Sequence, residues 1–246
     1  MTTRKSRAFI LISVVMLTVF IAPAFTIEVN PVVMKKAQQL QIEGKSAKEI
    51  IAALKEEFQI NLSGAADVLY GLKMNASEIT SALKEVYGAS ADAIGQKLRE
   101  LGFHASDIGI ALKQYFTMGC QAVAIQLKES GFEMMEIAQA LKDAGFSDSE
   151  IARELRDQFK MTAIQTGNIL KKMGSNATKI MGAVKDIYAF RARQAAYLLK
   201  KLAFSASEIV QALVDTYQMS LQRIKQLLAS VGYSDSEIEE AVSRTR

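Results

Sequence analysis

Apolar positions recur along this chain with a fixed spacing of 29 residues. One phrase, written GFSDSEI at 145–151 and GYSDSEI at 232–238, returns in related forms such as AFSASEI at 203–209. Its final isoleucine marks the positions Ile50, Ile79, Ile108, Ile137, Ile151, Ile180, Ile209 and Ile238. Successive markers are 29 residues apart, except that Ile137 and Ile151 are 14 apart. A fixed period of this size is typical of stacked repeat proteins.

Each marker opens a helical pattern. After Ile79 come Ala82, Leu83, Val86 and Tyr87, and offsets of 3, 4, 7 and 8 define one apolar stripe of an α-helix. A second stripe, clearest in ADAIGQKLRELGF at 91–103, fills the rest of each unit. We call the first kind A helices and the second kind B helices. Because helices of roughly 10–12 residues are marginal alone, we predict an all-α fold of tandem short helix-turn-helix repeats stacked as an α-solenoid.

The repeated phrase has the chemistry of a helix start. Ser147 and Glu150 form the Ser-x-x-Glu pattern of a capping box, in which each side chain accepts a hydrogen bond from a free backbone N–H of the first turn. A glycine such as Gly145 suits the end of the preceding helix. The same spacing predicts N-caps at Ser46, Asn75, His104, Glu133, Ser147, Asn176, Ser205 and Ser234. Each phrase is therefore predicted to be a tight corner between two helices.

The 14-residue step divides the chain into two lobes. MMEIAQALKDAGF at 134–146 begins as an A helix and ends as a B helix, so the repeat slips by half a unit there. We predict an N-terminal repeat lobe at 25–133, opened by a capping helix after Asn30-Pro31, a phase-slip helix at 134–146, and a C-terminal repeat lobe at 147–246. The slip is either a hinge between the lobes or a deletion that a repetitive fold tolerates.

One corner carries a resemblance to known helical repeats. The phrase LGFHASDIGIALK at 101–113 resembles the helix-turn phrase of mitochondrial transcription-termination-factor repeats, and it is similar to part of the ubiquitin-associated domain. The resemblance implies a helical repeat of no specific function. The proline of the termination-factor repeats is absent from this phrase, and no functional residue is carried over from either family.

The N-terminal segment predicts export. Arg4, Lys5 and Arg7 precede the apolar run 8–22, and a small-x-small cleavage pattern ends at Ala24, which is typical of a signal peptide at 1–24. The run is shorter than the roughly 17–25 residues that span a bilayer, so an uncleaved N-terminal membrane anchor is the alternative. We therefore expect a secreted, periplasmic or cell-surface protein. Without the segment, 27 basic residues face 26 acidic ones, which disfavours a dedicated nucleic-acid binder.

The chain has few residues suited to catalysis. His104 is the only histidine and falls on a cap position, and Cys120 is the only cysteine. Nucleophilic catalysis and zinc binding both need partners for such groups. We therefore predict no enzyme, no cofactor and no metal site.

Charge is distributed in two informative ways. Five residues after the marker, the A helices carry a basic residue such as Lys84 or Lys142, which predicts a row of charge on a solvated face. From Lys160 to Lys201 there are nine basic residues and one acidic residue, Asp186. Basic side chains interleaved with aromatics can bind anionic polymers. The candidate binding residues of this stretch are Lys171, Lys172, Arg191, Arg193, Tyr197, Lys200 and Lys201.

These observations favour a binding scaffold over an enzyme. The expected partner is a protein, a cell-envelope polymer or a second copy of the chain. The alternative is a binder of nucleic acid or another anionic polymer through 160–201. A membrane contact is expected only if the N-terminal segment stays uncleaved.

Overall fold

A computed structural model describes residues 30–244, and within that range the chain forms fifteen α-helices and no β-strand. The predicted signal peptide at 1–24 lies outside the described residues. The helices are α1 Pro31–Ile42, α2 Ala47–Phe58, α3 Leu62–Gly71, α4 Ala76–Tyr87, α5 Ala91–Glu100, α6 Ala105–Phe116, α7 Cys120–Glu129, α8 Met134–Asp143, α9 Asp148–Asp157, α10 Ala163–Lys172, α11 Ala177–Tyr188, α12 Ala192–Lys201, α13 Ala206–Tyr217, α14 Leu221–Ser230 and α15 Asp235–Ser243. The predicted all-α repeat fold is confirmed.

The corners between helices follow the predicted capping chemistry. All eight predicted caps are N-caps, and at Ser147 the hydroxyl accepts from the Glu150 N–H while the Glu150 carboxylate accepts from the Ser147 N–H. The preceding helix ends with Gly145 at a φ of 77°, the left-handed conformation that glycine adopts without steric cost. Gly145 N–H donates to Lys142 O and Phe146 N–H donates to Leu141 O, which is a Schellman ending.

The helices stack in two rows, and each helix packs on the helix two positions away. The odd row runs from α1 through α3, α5, α7, α9, α11 and α13 to α15, with each helix contacting the next in the row. The even row runs from α2 to α14. Apolar side chains between the rows form a core that continues from Ile51 to Val242, and a smaller cluster under α1 contains Val33, Ala37 and Leu54. Each short helix is thus stabilised by its neighbours, as expected of a solenoid.

A ladder of cations links successive helices of the same row. A lysine or arginine near the end of one helix donates to a backbone carbonyl at the C-terminal end of the next helix in that row, 30 or 31 residues later. The pairs are Lys55–Val86, Lys84–Tyr115, Lys113–Ala144, Lys128–Gln158, Lys142–Met173, Arg156–Ile187, Lys171–Leu202, Lys185–Thr216 and Lys200–Val231. The predicted row of solvated charge is therefore also a structural feature, because these cations occupy helix C-termini.

Aromatic rings reinforce the ladder. In seven of its nine pairs the ammonium group also lies over a ring, as Lys200 does over Tyr233 at 4.1 Å from the centroid. Tyrosine hydroxyls reach in the opposite direction: Tyr87 donates to Ile60 O at 2.7 Å and Tyr188 to Met161 O at 2.8 Å. Adjacent units are thereby bonded in both directions along the stack.

The phase slip does not interrupt the stack. Helix α8 packs against α6 as an A helix, but it has the ten-residue length and the glycine ending of a B helix. Across the slip, the even row continues through the Lys142–Met173 bond from α8 to the end of α10. The odd row continues because α7 contacts α9 and Lys128 donates to Gln158 O at 3.1 Å. The slip therefore moves the A helices from the even row to the odd row without leaving a gap.

Among residues 30–244, no helix combines the length and apolar character needed to cross a bilayer.

Candidate functional site

Six of the seven candidate binding residues lie on α10 and α12, which are neighbours in the even row, and the seventh, Arg191, is the N-cap of α12. The structure divides them into two groups. The side chains of Lys171 and Lys200 are half-buried, whereas those of Lys172, Arg191, Arg193, Tyr197 and Lys201 are exposed.

Lys171 and Lys200 bond within the stack. Lys171 Nζ donates to the carbonyls of Leu202 and Ala203 and lies 4.5 Å from the centroid of the Phe204 ring. Lys200 makes the equivalent contacts with Val231 O, Gly232 O and the Tyr233 ring, one unit further along the chain. In the pairs Lys171-Lys172 and Lys200-Lys201, the first lysine therefore bonds to the end of the next helix of the row, and the second is exposed to solvent.

A groove lies between α10 and α12 on the exposed surface of the even row. Its cavity volume is about 670 Å³, and its lining includes Ile164, Phe190, Tyr197, Leu198 and Lys201. The side chains of Ile164 and Tyr197 are 39% and 51% exposed, so two large apolar side chains lie open to solvent in one groove. The lining residues Thr162, Asn168 and Gln194 add polar groups, and this mixture is typical of ligand-binding grooves.

The close approach of the two helices depends on one small residue. A Cβ atom on Gly167 of α10 would lie 2.7 Å from Leu202 Cδ1 and 3.3 Å from Leu198 Cδ2 of α12. Glycine at this position lets the two helices meet along their buried side. The groove is the space that remains on their exposed side.

A second groove extends the surface toward α14. It has a volume of about 410 Å³ and is lined by Arg193, Gln194, Tyr197 and the 230–232 turn. The Arg193 guanidinium crosses it and donates to Ser230 O at 3.3 Å. Tyr197 lines both grooves, and Lys201 Nζ lies 5.3 Å from the centroid of its ring. Tyr197 is therefore the centre of one continuous surface over α10, α12 and α14.

Three of the candidates predicted from sequence line these grooves, and other residues of the lining were not among the candidates. Lys201, Arg193 and Tyr197 were among the candidates and line the grooves. Ile164, Phe190 and Leu198 were not: Ile164 and Leu198 follow the ordinary apolar pattern of a B helix, and Phe190 lies in the turn before α12. Their place in the groove depends on how far apart α10 and α12 lie, which the spacing along one helix does not encode.

The chemically reactive side chains lie elsewhere. Cys120 is buried at the start of α7, and burial, followed by the negative charge of Glu154, raises the pKa of its thiol to about 12. Glu154 on α9 is itself buried, and burial raises the pKa of its carboxyl group. His104 is an exposed N-cap whose side chain makes no capping bond. In residues 30–244, no three His, Cys, Asp or Glu side chains are grouped so that they could hold a metal ion.

Comparison with models of protein families gives no match, and comparison with curated proteins gives no significant match.

Proposed function

We propose that the chain is an exported, non-enzymatic helical-repeat scaffold that binds a partner protein on the surface formed by α10, α12 and α14. The observation that carries the proposal is the groove between α10 and α12, in whose lining Ile164 and Tyr197 are both exposed. An exposed tyrosine beside an apolar floor, with an arginine at the rim, combines residue types that dominate protein interfaces.

The stacked architecture supports this proposal. Helices bonded to both neighbours in their row hold Ile164, Tyr197 and Lys201 in fixed positions, and solenoids commonly bind partners along an extended surface. The predicted signal peptide supports export, with a partner in the cell envelope.

A site-specific crosslink tests the proposal. Replacing Tyr197 with photoreactive p-benzoylphenylalanine and irradiating the full-length chain in an envelope extract of its source organism is expected to give a discrete protein adduct. Tyr70 of α3 supplies the matched control, because it is also an exposed tyrosine near the end of a B helix. No adduct, or the same adducts from positions 197 and 70, would refute binding at this groove.

The exposed cations Lys172, Arg191, Arg193 and Lys201 favour a second candidate, binding of an anionic polymer. The two functions differ in their response to salt. Binding to a polyanion weakens steeply as salt rises because counterions are released on binding, whereas binding at an apolar groove weakens little. Adducts at position 197 that nuclease or glycosidase removes, and that 0.5 M salt abolishes, would favour the polymer.

A further inference from the structure

The two helix rows of the C-terminal lobe carry opposite charge. Helices α10, α12 and α14 contain seven basic residues and no acidic one: Lys171, Lys172, Arg193, Lys200, Lys201, Arg223 and Lys225. Helices α9, α11, α13 and α15 contain four basic residues, Arg153, Arg156, Lys179 and Lys185, and eleven acidic residues. Those acidic residues are Asp148, Glu150, Glu154, Asp157, Asp186, Glu208, Asp215, Asp235, Glu237, Glu239 and Glu240.

Part of the positive charge is already used inside the protein. Lys171 and Lys200 bond to helix C-termini, and Lys225 forms an ion pair of 2.5 Å with Glu239. Among the described residues, the Lys172 ammonium group has no hydrogen-bond or ion-pair partner, and the Lys201 ammonium group contacts only the Tyr197 ring. Of the remaining cations, Lys201 lines the groove, Arg193 lines the adjoining one, and Lys172 lies on the same face of α10 as Ile164 and Asn168. None of these three has an acidic partner among the described residues.

The basic rim and the apolar floor together define the ligand. Resting on the proposed function, we propose that the surface binds an acidic amphipathic segment of the partner protein. An apolar side chain of that segment lies beside Ile164 and Tyr197, and its flanking carboxylates face Lys172, Lys201 and Arg193. This pairing matches charge across the interface, which governs specificity and the rate of encounter, while burial of the apolar side chain supplies affinity.

Other anionic ligands fit the surface less well. A polyanion without apolar groups leaves Ile164 and the groove floor unpaired. A single-stranded nucleic acid binds through a series of stacking aromatic residues, and Tyr197 is the one exposed aromatic side chain among the groove residues. An anionic bilayer accommodates protruding apolar side chains, whereas this surface is concave.

Fluorescence anisotropy with three labelled 12-residue peptides tests the assignment on the full-length chain. The first peptide alternates glutamate and leucine, the second replaces leucine with serine, and the third replaces glutamate with lysine. We expect the glutamate–leucine peptide to bind at least about tenfold more tightly than either of the others. Equal binding of the glutamate–serine peptide would refute the need for an apolar side chain in the ligand. Equal binding of the lysine–leucine peptide would refute the need for acidic residues in the ligand.

Variants locate the binding on the surface. The double variant Lys172→Glu/Lys201→Glu, and separately Tyr197→Ala, are expected to weaken the glutamate–leucine peptide about tenfold or more. The control Arg153→Glu/Lys179→Glu makes the same change of charge on exposed residues of α9 and α11 and is expected to leave binding unchanged. Equal losses in the control would show a general charge effect and overturn the site.

The outcome can be separated from that of the proposed function. A protein crosslinked at position 197 whose contacting segment is neutral or basic would leave the scaffold function standing and refute the acidic segment. Binding to phosphatidylglycerol vesicles that depends on Lys172 and Lys201, without binding of the glutamate–leucine peptide, would assign the surface to a membrane and refute the inference.

Discussion

At the residue scale, the corners of the stack are set by a few residues in the left-handed conformation. Every A helix of twelve residues ends at such a residue, and at equivalent corners Gly88 has a φ of 62° and Thr117 a φ of 53°. The conformation places Cβ close to the following carbonyl oxygen, at a cost of roughly 1–2 kcal/mol for residues other than glycine. A β-branched residue is among the least suited to it, so the corner after α6 is strained where the corner after α4 is not.

The change Thr117→Gly is expected to stabilise the protein by about 1 kcal/mol, because removing the side chain relieves this strain. The reciprocal change Gly88→Thr at the equivalent corner is expected to destabilise it by a similar amount. Urea unfolding followed by circular dichroism measures both. If the two changes shift the urea midpoint in the same direction, the left-handed conformation of these corners does not determine their contribution to stability.

At the element scale, each helix depends on the next helix in its row. The last carbonyls of a helix have no partner within that helix, and in this fold a cation from the preceding helix of the row occupies several of these ends. The basic positions of the even row, from Lys55 through Lys84, Lys113, Lys142 and Lys171 to Lys200, keep a strict spacing of 29 residues through the phase slip. The ladder therefore continues through the phase slip, where the alternation of A and B helices is interrupted.

Lys142→Met is expected to destabilise the protein by about 1 kcal/mol, because it removes the charged bond from α8 to the end of α10 and keeps the apolar stem of the side chain. Lys172→Met is the matched control, since the Lys172 ammonium has no partner in the described part of the chain, and its effect is expected to stay within about 0.5 kcal/mol. Thermal unfolding of the two variants side by side measures the difference. Equal stability would mean that the bond across the slip contributes nothing measurable.

The helices and their starts could be predicted from sequence because both depend on local chemistry. Ser147 and Glu150 form their capping box within four residues of chain, and a stripe such as that after Ile79 is set by the helical turn. The ladder could not be predicted from local chemistry, because its donors and acceptors are 30 or 31 residues apart and meet only when two helices align. The sequence held the signal, however: a lysine every 29 residues, followed 32 or 33 residues later by an aromatic ring such as Tyr87 or Phe146 at every position of the series except Lys142.

At the scale of the whole molecule, the stack behaves as a linear array of equivalent contacts. Each unit touches its neighbours, and the core passes from one unit to the next without a break at the slip. In such an array stability is approximately a sum over units and their interfaces. The ladder positions of α13 and α14 hold Val214 and Ala229 instead of a cation, so neither of these two helices carries a ladder cation.

Removing one complete unit, residues 76–104, is expected to leave a folded protein. The cut joins Asn75 to Ala105, so α6 keeps an asparagine N-cap with Asp107 at the third position, and Lys55 meets the Tyr115 carbonyl in place of Val86 because the register is preserved. Helix content per residue should stay constant, while the dependence of the unfolding free energy on urea falls by about one eighth, in proportion to the surface that is lost.

Deleting α4 alone, residues 76–87, is the control, because it leaves the apolar stripes of α2 and α6 without the helix that covers both, and we expect it to abolish cooperative unfolding. If the 29-residue deletion unfolds the chain, or the 12-residue deletion is tolerated equally well, the units are not interchangeable and the solenoid description of the energetics is wrong.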